Sequence, residues 1–173
     1  ATLHCEPTRA SGPITIIASA TGVPRRFYGR FARFLATHGR PSLTFDYRGI
    51  GGSLTGPVAQ STARFRDWGI LDIPGILRWA DETYPGRPIH WVGHSYGGFG
   101  TGLAHNNHLV ARHLGVSTMT ADYRLMTSRF EQAKVCVMFA AVAPLASRVF
   151  GYVPGRLNGN SADLPRGVAS EWG

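Results

Sequence analysis

Lysine is almost absent from this 173-residue sequence. Lys134 is the only one, so the formal charge of +8 and the pI of about 10.3 come almost wholly from arginine. Cysteine is scarce as well. Cys5 and Cys136 lie far apart without metal-ligand spacing, which excludes a disulfide framework and a cysteine-bound zinc, and no metal is expected. Long apolar runs are missing too: the longest, Val135 to Ala146, contains Pro144 and falls short of the roughly 20 residues of a membrane-spanning helix. No basic stretch followed by an apolar core opens the chain, so no signal peptide is read, although the sequence starts at Ala1 without a methionine. These absences lead to the expectation of a cytoplasmic protein with no membrane span.

What is present fits one folded core. Hydrophobic residues make up 43% and charged residues 16%, and the 22 glycines and 11 prolines are scattered as punctuation between short elements, with no internal repeat. The basic excess raises the question of nucleic acid. The arginines are dispersed, however, apart from Arg25, Arg26, Arg30 and Arg33. The last three follow helical spacing opposite a row of Phe27, Phe31, Phe34 and Leu35, the pattern of a solvated helix face above an apolar one that meets the core. No groove-reading motif accompanies them, so no nucleic-acid partner is expected.

Short β-branched runs at residues 14–19, 41–45, 89–93 and 114–118 read as buried strands. Between them, residues 24–38, 62–84 and 95–105 read as helices. Pro24 stands in the first turn of the first of these, and Gly39 stops it. In the second, Trp68, Leu71, Ile76, Leu77 and Ala80 are expected on the buried side, with Pro74 either opening a helix capped by Asp72 or kinking a longer one. Alternation of this kind predicts an α/β fold: a mostly parallel sheet with helices on both faces. Residues 1–122 would form this core, and a mostly helical segment, 123–173, would cap it.

Gly93-His94-Ser95-Tyr96-Gly97 stands between a strand and a glycine-rich helix start. A G-x-S-x-G sequence in that setting makes a sharp turn that lifts the serine hydroxyl to the carboxyl edge of the sheet, with helix N–H groups beside it to favour an oxyanion. Ser95 is therefore the candidate nucleophile. The small residues at 93, 97 and 98 are needed because backbone passes so close. About 40 residues earlier comes Asp46-Tyr47-Arg48-Gly49-Ile50-Gly51-Gly52-Ser53, in which Asp46 and Arg48 are expected to fix the loop rather than react.

With these two motifs the chain resembles the α/β-hydrolase superfamily, and its loop Ala18-Ser19-Ala20-Thr21-Gly22-Val23-Pro24-Arg25-Arg26-Phe27-Tyr28 is similar to that of a bacterial subgroup of esterase-like serine hydrolases. The resemblance covers nearly the whole chain. It implies hydrolysis of a carboxylic ester or related acyl substrate through a Ser95 acyl-enzyme, without metal or organic cofactor. The oxyanion hole would come from the backbone N–H of Tyr96 and one from Gly22 or Val23. His94, Met119 and Met126 are expected beside the substrate, and Val135, Val137, Met138, Phe139, Val142 and Leu145 of the cap either cover an acyl pocket or pack on the domain body. Acyl transfer to an acceptor other than water stays open.

The family orders its triad as serine, acid, histidine. After Ser95 come His105, His108 and His113, but no acid lies between 95 and 113. The first acid is Asp122, a candidate triad acid or a simple loop contact, and no histidine follows it. The resemblance therefore implies a chain cut short before its triad acid and histidine. A sheet left incomplete in this way would tend to pair with another copy, so a homo-oligomer is a further expectation. The alternative is a non-catalytic, hydrolase-like module that binds a small apolar ligand or a partner chain.

Overall fold

The computed structural model describes residues 1–4, 12–118, 122–157 and 161–172. In chain order these form β1 (Thr2–His4), β2 (Ile14–Ala18), a 3-10 turn at Arg25–Tyr28 leading into α1 (Gly29–Thr37), and β3 (Ser42–Thr44). Next come α2 (Phe65–Asp67), a π turn at Trp68–Asp72, α3 (Ile73–Thr83), β4 (Ile89–His94), α4 (Tyr96–Phe99) and β5 (Val110–Val116). The remainder is α5 (Arg129–Val137), a second π turn at Met138–Val142, α6 (Ala143–Phe150), β6 (Tyr152–Val153), β7 (Leu164–Pro165) and α7 (Arg166–Trp172).

The main sheet has the order β1-β3-β2-β4-β5. β2 to β5 run parallel, and β1 pairs antiparallel to β3 at one edge. The parallel α/β architecture expected from the alternation is therefore present, with the helical segment after it. The fourth strand is longer than its apolar run suggested, starting at Val110. As the outermost strand it leaves Leu114 57% exposed.

Alternation along β2 sorts the core. Ile14, Ile16 and Ala18 enter the large cluster with Leu43, Trp68, Leu77 and Trp91, whereas Ile17 faces the other way, onto Tyr28 and Ala32 of the α1 layer. The C-terminal segment joins the large cluster too, through Val153, Leu164 and Val168.

Two helix faces differ from their sequence reading. On α1 the row against the sheet is Tyr28 and Ala32, with Leu35 packed partly beside them, while Phe27 (69%) and Phe34 (56%) point outward and Phe31 is also exposed. The two rows are neighbours on one helix, and hydrophobicity favoured the wrong one. Close approach decided it, because Ala32 lets the helix backbone settle on the sheet, where its carbonyl accepts a 3.1 Å hydrogen bond from Ser42 Oγ.

The second difference comes from the π turns. Residues 65–83 form one continuous helix in which Ile73 N–H reaches back five residues to the Trp68 carbonyl. The turn holds one residue more than an α turn, so buried positions jump from Trp68 and Gly69 to Ile73, Leu77 and Ala80, and Leu71 swings out to 48% exposure. Pro74 neither starts nor breaks the helix. Asp72, expected as a cap, spends its carboxylate on Arg48 instead.

The same device recurs where Ala143 N–H bonds the Met138 carbonyl just before Pro144. It carries Arg129–Phe150 through the proline as a single 22-residue helix, whose most apolar stretch has a mean hydropathy of 1.6 and is 17% buried. Among the described residues one helix is thus long and apolar enough to cross a membrane by length and composition. The apolar run from Val135 to Ala146 is therefore the middle of a longer helix that continues through Pro144.

The reassigned α1 face is tested by chemical denaturation. Ala32→Leu should destabilise the fold by about 1–3 kcal/mol through overpacking, whereas Phe31→Ser should stay within about 0.5 kcal/mol.

Candidate functional site

β4 delivers Ser95 to the carboxyl edge of the sheet and α4 starts at the next residue. Between them Ser95 adopts φ 51° and ψ −114°, a conformation that costs a side-chain-bearing residue free energy and persists only where surrounding contacts impose it. Those contacts are visible. Ser95 N–H donates to the Val116 carbonyl at 2.9 Å, pinning the turn to the end of β5, and the Ser95 carbonyl accepts from Gly98 N–H at 2.9 Å. Trp91 Nε1 donates to the Gly97 carbonyl at 2.7 Å.

The glycines are required by space. A methyl group on Gly93 would overlap backbone of Gly97 and Gly98, one on Gly97 would overlap Ala18 at the end of β2, and one on Gly98 would meet Thr118. The Tyr96 ring is buried against Tyr47, Phe65 and Trp68, and its hydroxyl donates to the Phe65 carbonyl at 2.9 Å. Burial pushes its pKa well up, so the phenol stays neutral. Only its backbone faces the turn: Tyr96 N–H occupies the first helical position, which has no intrahelical acceptor.

The loop after β2 lies beside this turn. Of the two N–H groups considered there, Val23 donates to the Ala20 carbonyl at 3.1 Å, while Gly22 N–H has no partner among the described residues. Gly22 takes φ 72°, and its carbonyl accepts from Ala162 N–H at 2.7 Å, so the C-terminal segment holds the loop. A single side chain ties loop and turn together. Tyr28 Oη accepts from Ala20 N–H at 3.0 Å and lies 2.8 Å from His94 Nδ1. In the sequence Tyr28 lies outside the more hydrophobic row of Phe27, Phe31 and Phe34. Its spacing of four from Ala32 was the available signal.

Asp46 organises the neighbouring loop. Its carboxylate accepts from Arg25 N–H at 2.6 Å, from the Arg25 guanidinium and from Gly52 N–H at 3.0 Å, while its carbonyl accepts from Ser53 Oγ at 2.8 Å. Arg48 binds Asp72 with a 2.7 Å ion pair, and its carbonyl takes Trp68 Nε1 at 3.0 Å. Both residues hold loops, as their motif suggested.

Among the described residues, none of the other candidates is hydrogen-bonded to Ser95. Both carboxylate oxygens of Asp122 are bound by Arg124, at 2.8 Å each from Nε and Nη2, and this partner holds its pKa below the usual range. Met126 contributes its carbonyl to Gln132 Nε2 at 2.6 Å, and Met119 lies outside the described residues. His90 sits at the opposite end of β4, its pKa lowered by burial and by Arg112 and Arg40. His113 is mid-strand in β5, and His105 and His108 are exposed beyond α4. Among the described residues no side chain is hydrogen-bonded to Ser95 Oγ.

A family model described as alpha/beta hydrolase fold matches residues 13–121. Similar solved structures include an alpha/beta hydrolase from a Penicillium species, with 24% identity, a TM-score of 0.57, and 96% of this chain and 56% of that one covered. A hypothetical protein from Pseudomonas aeruginosa has 14% identity, a TM-score of 0.62 and coverage of 98% and 65%. A soluble variant of monoglyceride lipase from Saccharomyces cerevisiae, solved with a substrate analogue, has 18% identity, a TM-score of 0.50 and coverage of 84% and 46%. The chain thus spans between 46% and 65% of the length of these three structures, which share its fold. No curated protein matches the sequence.

Two sets of variants probe the geometry. Gly93→Ala, facing immovable backbone, should cost about 3 kcal/mol or more, while the smaller loss in Gly98→Ala should be partly recovered by adding Thr118→Ala in a double-mutant cycle read by urea unfolding. Tyr28→Phe strands the Ala20 amide and should cost about 1–3 kcal/mol, with faster hydrogen exchange at Ala20 as its signature.

Proposed function

Because the chain belongs to the alpha/beta hydrolase fold family, we propose that it is the nucleophile-bearing part of a serine hydrolase that cleaves a carboxylic ester or related acyl bond. The observation that carries this reading is the backbone of Ser95, held at φ 51° between a strand and a helix by glycines that nothing but close packing demands. Ser95 Oγ attacks the acyl carbon, and the oxyanion is met by the N–H groups of Tyr96 and Gly22. Collapse of the tetrahedral intermediate expels the alcohol, and water then attacks the acyl-Ser95 ester to release the acid. Each step needs a proton acceptor. In this reading it is a histidine supplied from outside residues 1–173, since none in the chain is hydrogen-bonded to Ser95 among the described residues. Tyr28 and His94 hold the oxyanion loop against the turn and do not react.

A fluorophosphonate probe applied to the full-length gene product, followed by peptide mass spectrometry, tests the proposal. Ser95 should carry the label, and Ser95→Ala should lose both the label and at least about a thousandfold in kcat/KM on a short-chain aryl ester. Turnover that survives Ser95→Ala, or a label on another residue, would refute it. Absence of both label and turnover in the wild type would favour the non-catalytic module.

A further inference from the structure

The arginine group at residues 25–33 is not absorbed by the reaction. Arg25, Arg26 and Arg33 line one cavity of about 450 Å³, bounded also by Asp46, Gly29 and Gly52. This is the size of a small-molecule site, and its place is informative: Arg25 follows β2 and Asp46 follows β3, so it opens at the same carboxyl edge as Ser95, on the far side of the loop after β2.

The charges inside do not balance. Asp46 is the only acid among the described residues that line the cavity, and its oxygens are already taken by Arg25 and Gly52. Arg26 and Arg33 have no carboxylate partner among the described residues. Gly29, Gly51 and Gly52 form part of the wall, beside Thr2, Pro24 and Thr44. A methyl group on Gly52 would lie 2.6 Å from Arg25 Nη1, so glycine there leaves the Arg25 guanidinium in place beside Asp46, whereas one on Gly29 would only touch Arg33 Nη1 at 3.4 Å. Two exposed guanidinium groups without a carboxylate partner, at the rim of a concave space, match a doubly charged, many-oxygen anion.

We infer that this cavity binds a phosphate dianion, as a phosphoester or a phospholipid headgroup, through Arg26 and Arg33, with Arg25 held by Asp46 as part of the wall. Binding needs no Ser95 chemistry and stands or falls separately from the hydrolase proposal.

Isothermal titration with inorganic phosphate at fixed ionic strength tests it. Saturable binding is expected, weakened at least about tenfold in Arg26→Gln and in Arg33→Gln and less than about twofold in Arg30→Gln, which removes an equally exposed arginine that does not line the cavity. Near-ultraviolet circular dichroism confirms that each variant is folded. Failure of phosphate to saturate, or equal weakening by Arg30→Gln, would overturn the inference, the latter by showing a response to net charge alone. Co-sedimentation with phosphatidylcholine vesicles, with and without phosphatidic acid, then separates the sources. Retention on phosphatidic acid that is lost in Arg26→Gln and Arg33→Gln identifies a headgroup, and phosphate binding without retention identifies a soluble phosphoester.

Discussion

At the carboxyl edge of the sheet, the backbone of residues 93–98 folds over itself at contact distance, and the surrounding features follow from that crossing. Ser95 is forced into the left-handed region because the strand must become a helix within one residue. Tyr96 is thereby pointed into the aromatic cluster with Tyr47, Phe65 and Trp68, which anchors the short helix that its four residues could not stabilise alone. Ala18 and Val116, on the two strands flanking β4, meet the same turn from either side. The strain at Ser95 is therefore borne by three adjacent strands and one core.

Around this crossing the loops are positioned by polar contacts to backbone rather than by apolar packing. Asp46 gathers two N–H groups and a guanidinium, Tyr28 gathers an N–H group and a ring nitrogen, and Asp72 gathers the Arg48 backbone and side chain. Each acceptor is buried or half-buried, so its partners matter more than they would in water. The arrangement separates two tasks. Apolar burial fixes the sheet, and a few oxygens fix the loops that close over its edge.

How much of this was legible depended on whether a local pattern had one structural solution. The Ser95 turn was legible, because a serine between glycines at that spacing, after a β-branched strand, leaves the backbone little choice. The alternation giving four parallel strands was legible for the same reason. The buried face of α1 was not, since rows 27/31/34 and 28/32/35 are both apolar and the choice rested on how near Ala32 could bring the helix to the sheet, a tertiary quantity. The Tyr28–His94 contact joins residues 66 apart and has no local signature. Nor does the pairing of Asp122 with Arg124, which only the geometry shows to occupy both oxygens.

Both long helices carry a proline six residues after a π turn begins, and this pairing binds two properties that usually vary independently. The proline at 74 or 144 lacks an N–H and needs room for its ring against the preceding turn, and the extra residue of the π turn supplies that room. Deleting one residue from the turn would restore ordinary helical spacing and set the ring against a carbonyl. Replacing the proline alone would leave an insertion with nothing to accommodate. Change in these helices is thus constrained to come in pairs, one in chain length and one in composition, so a relative that lacks the proline is also the one in which to look for a helix shorter by a single residue.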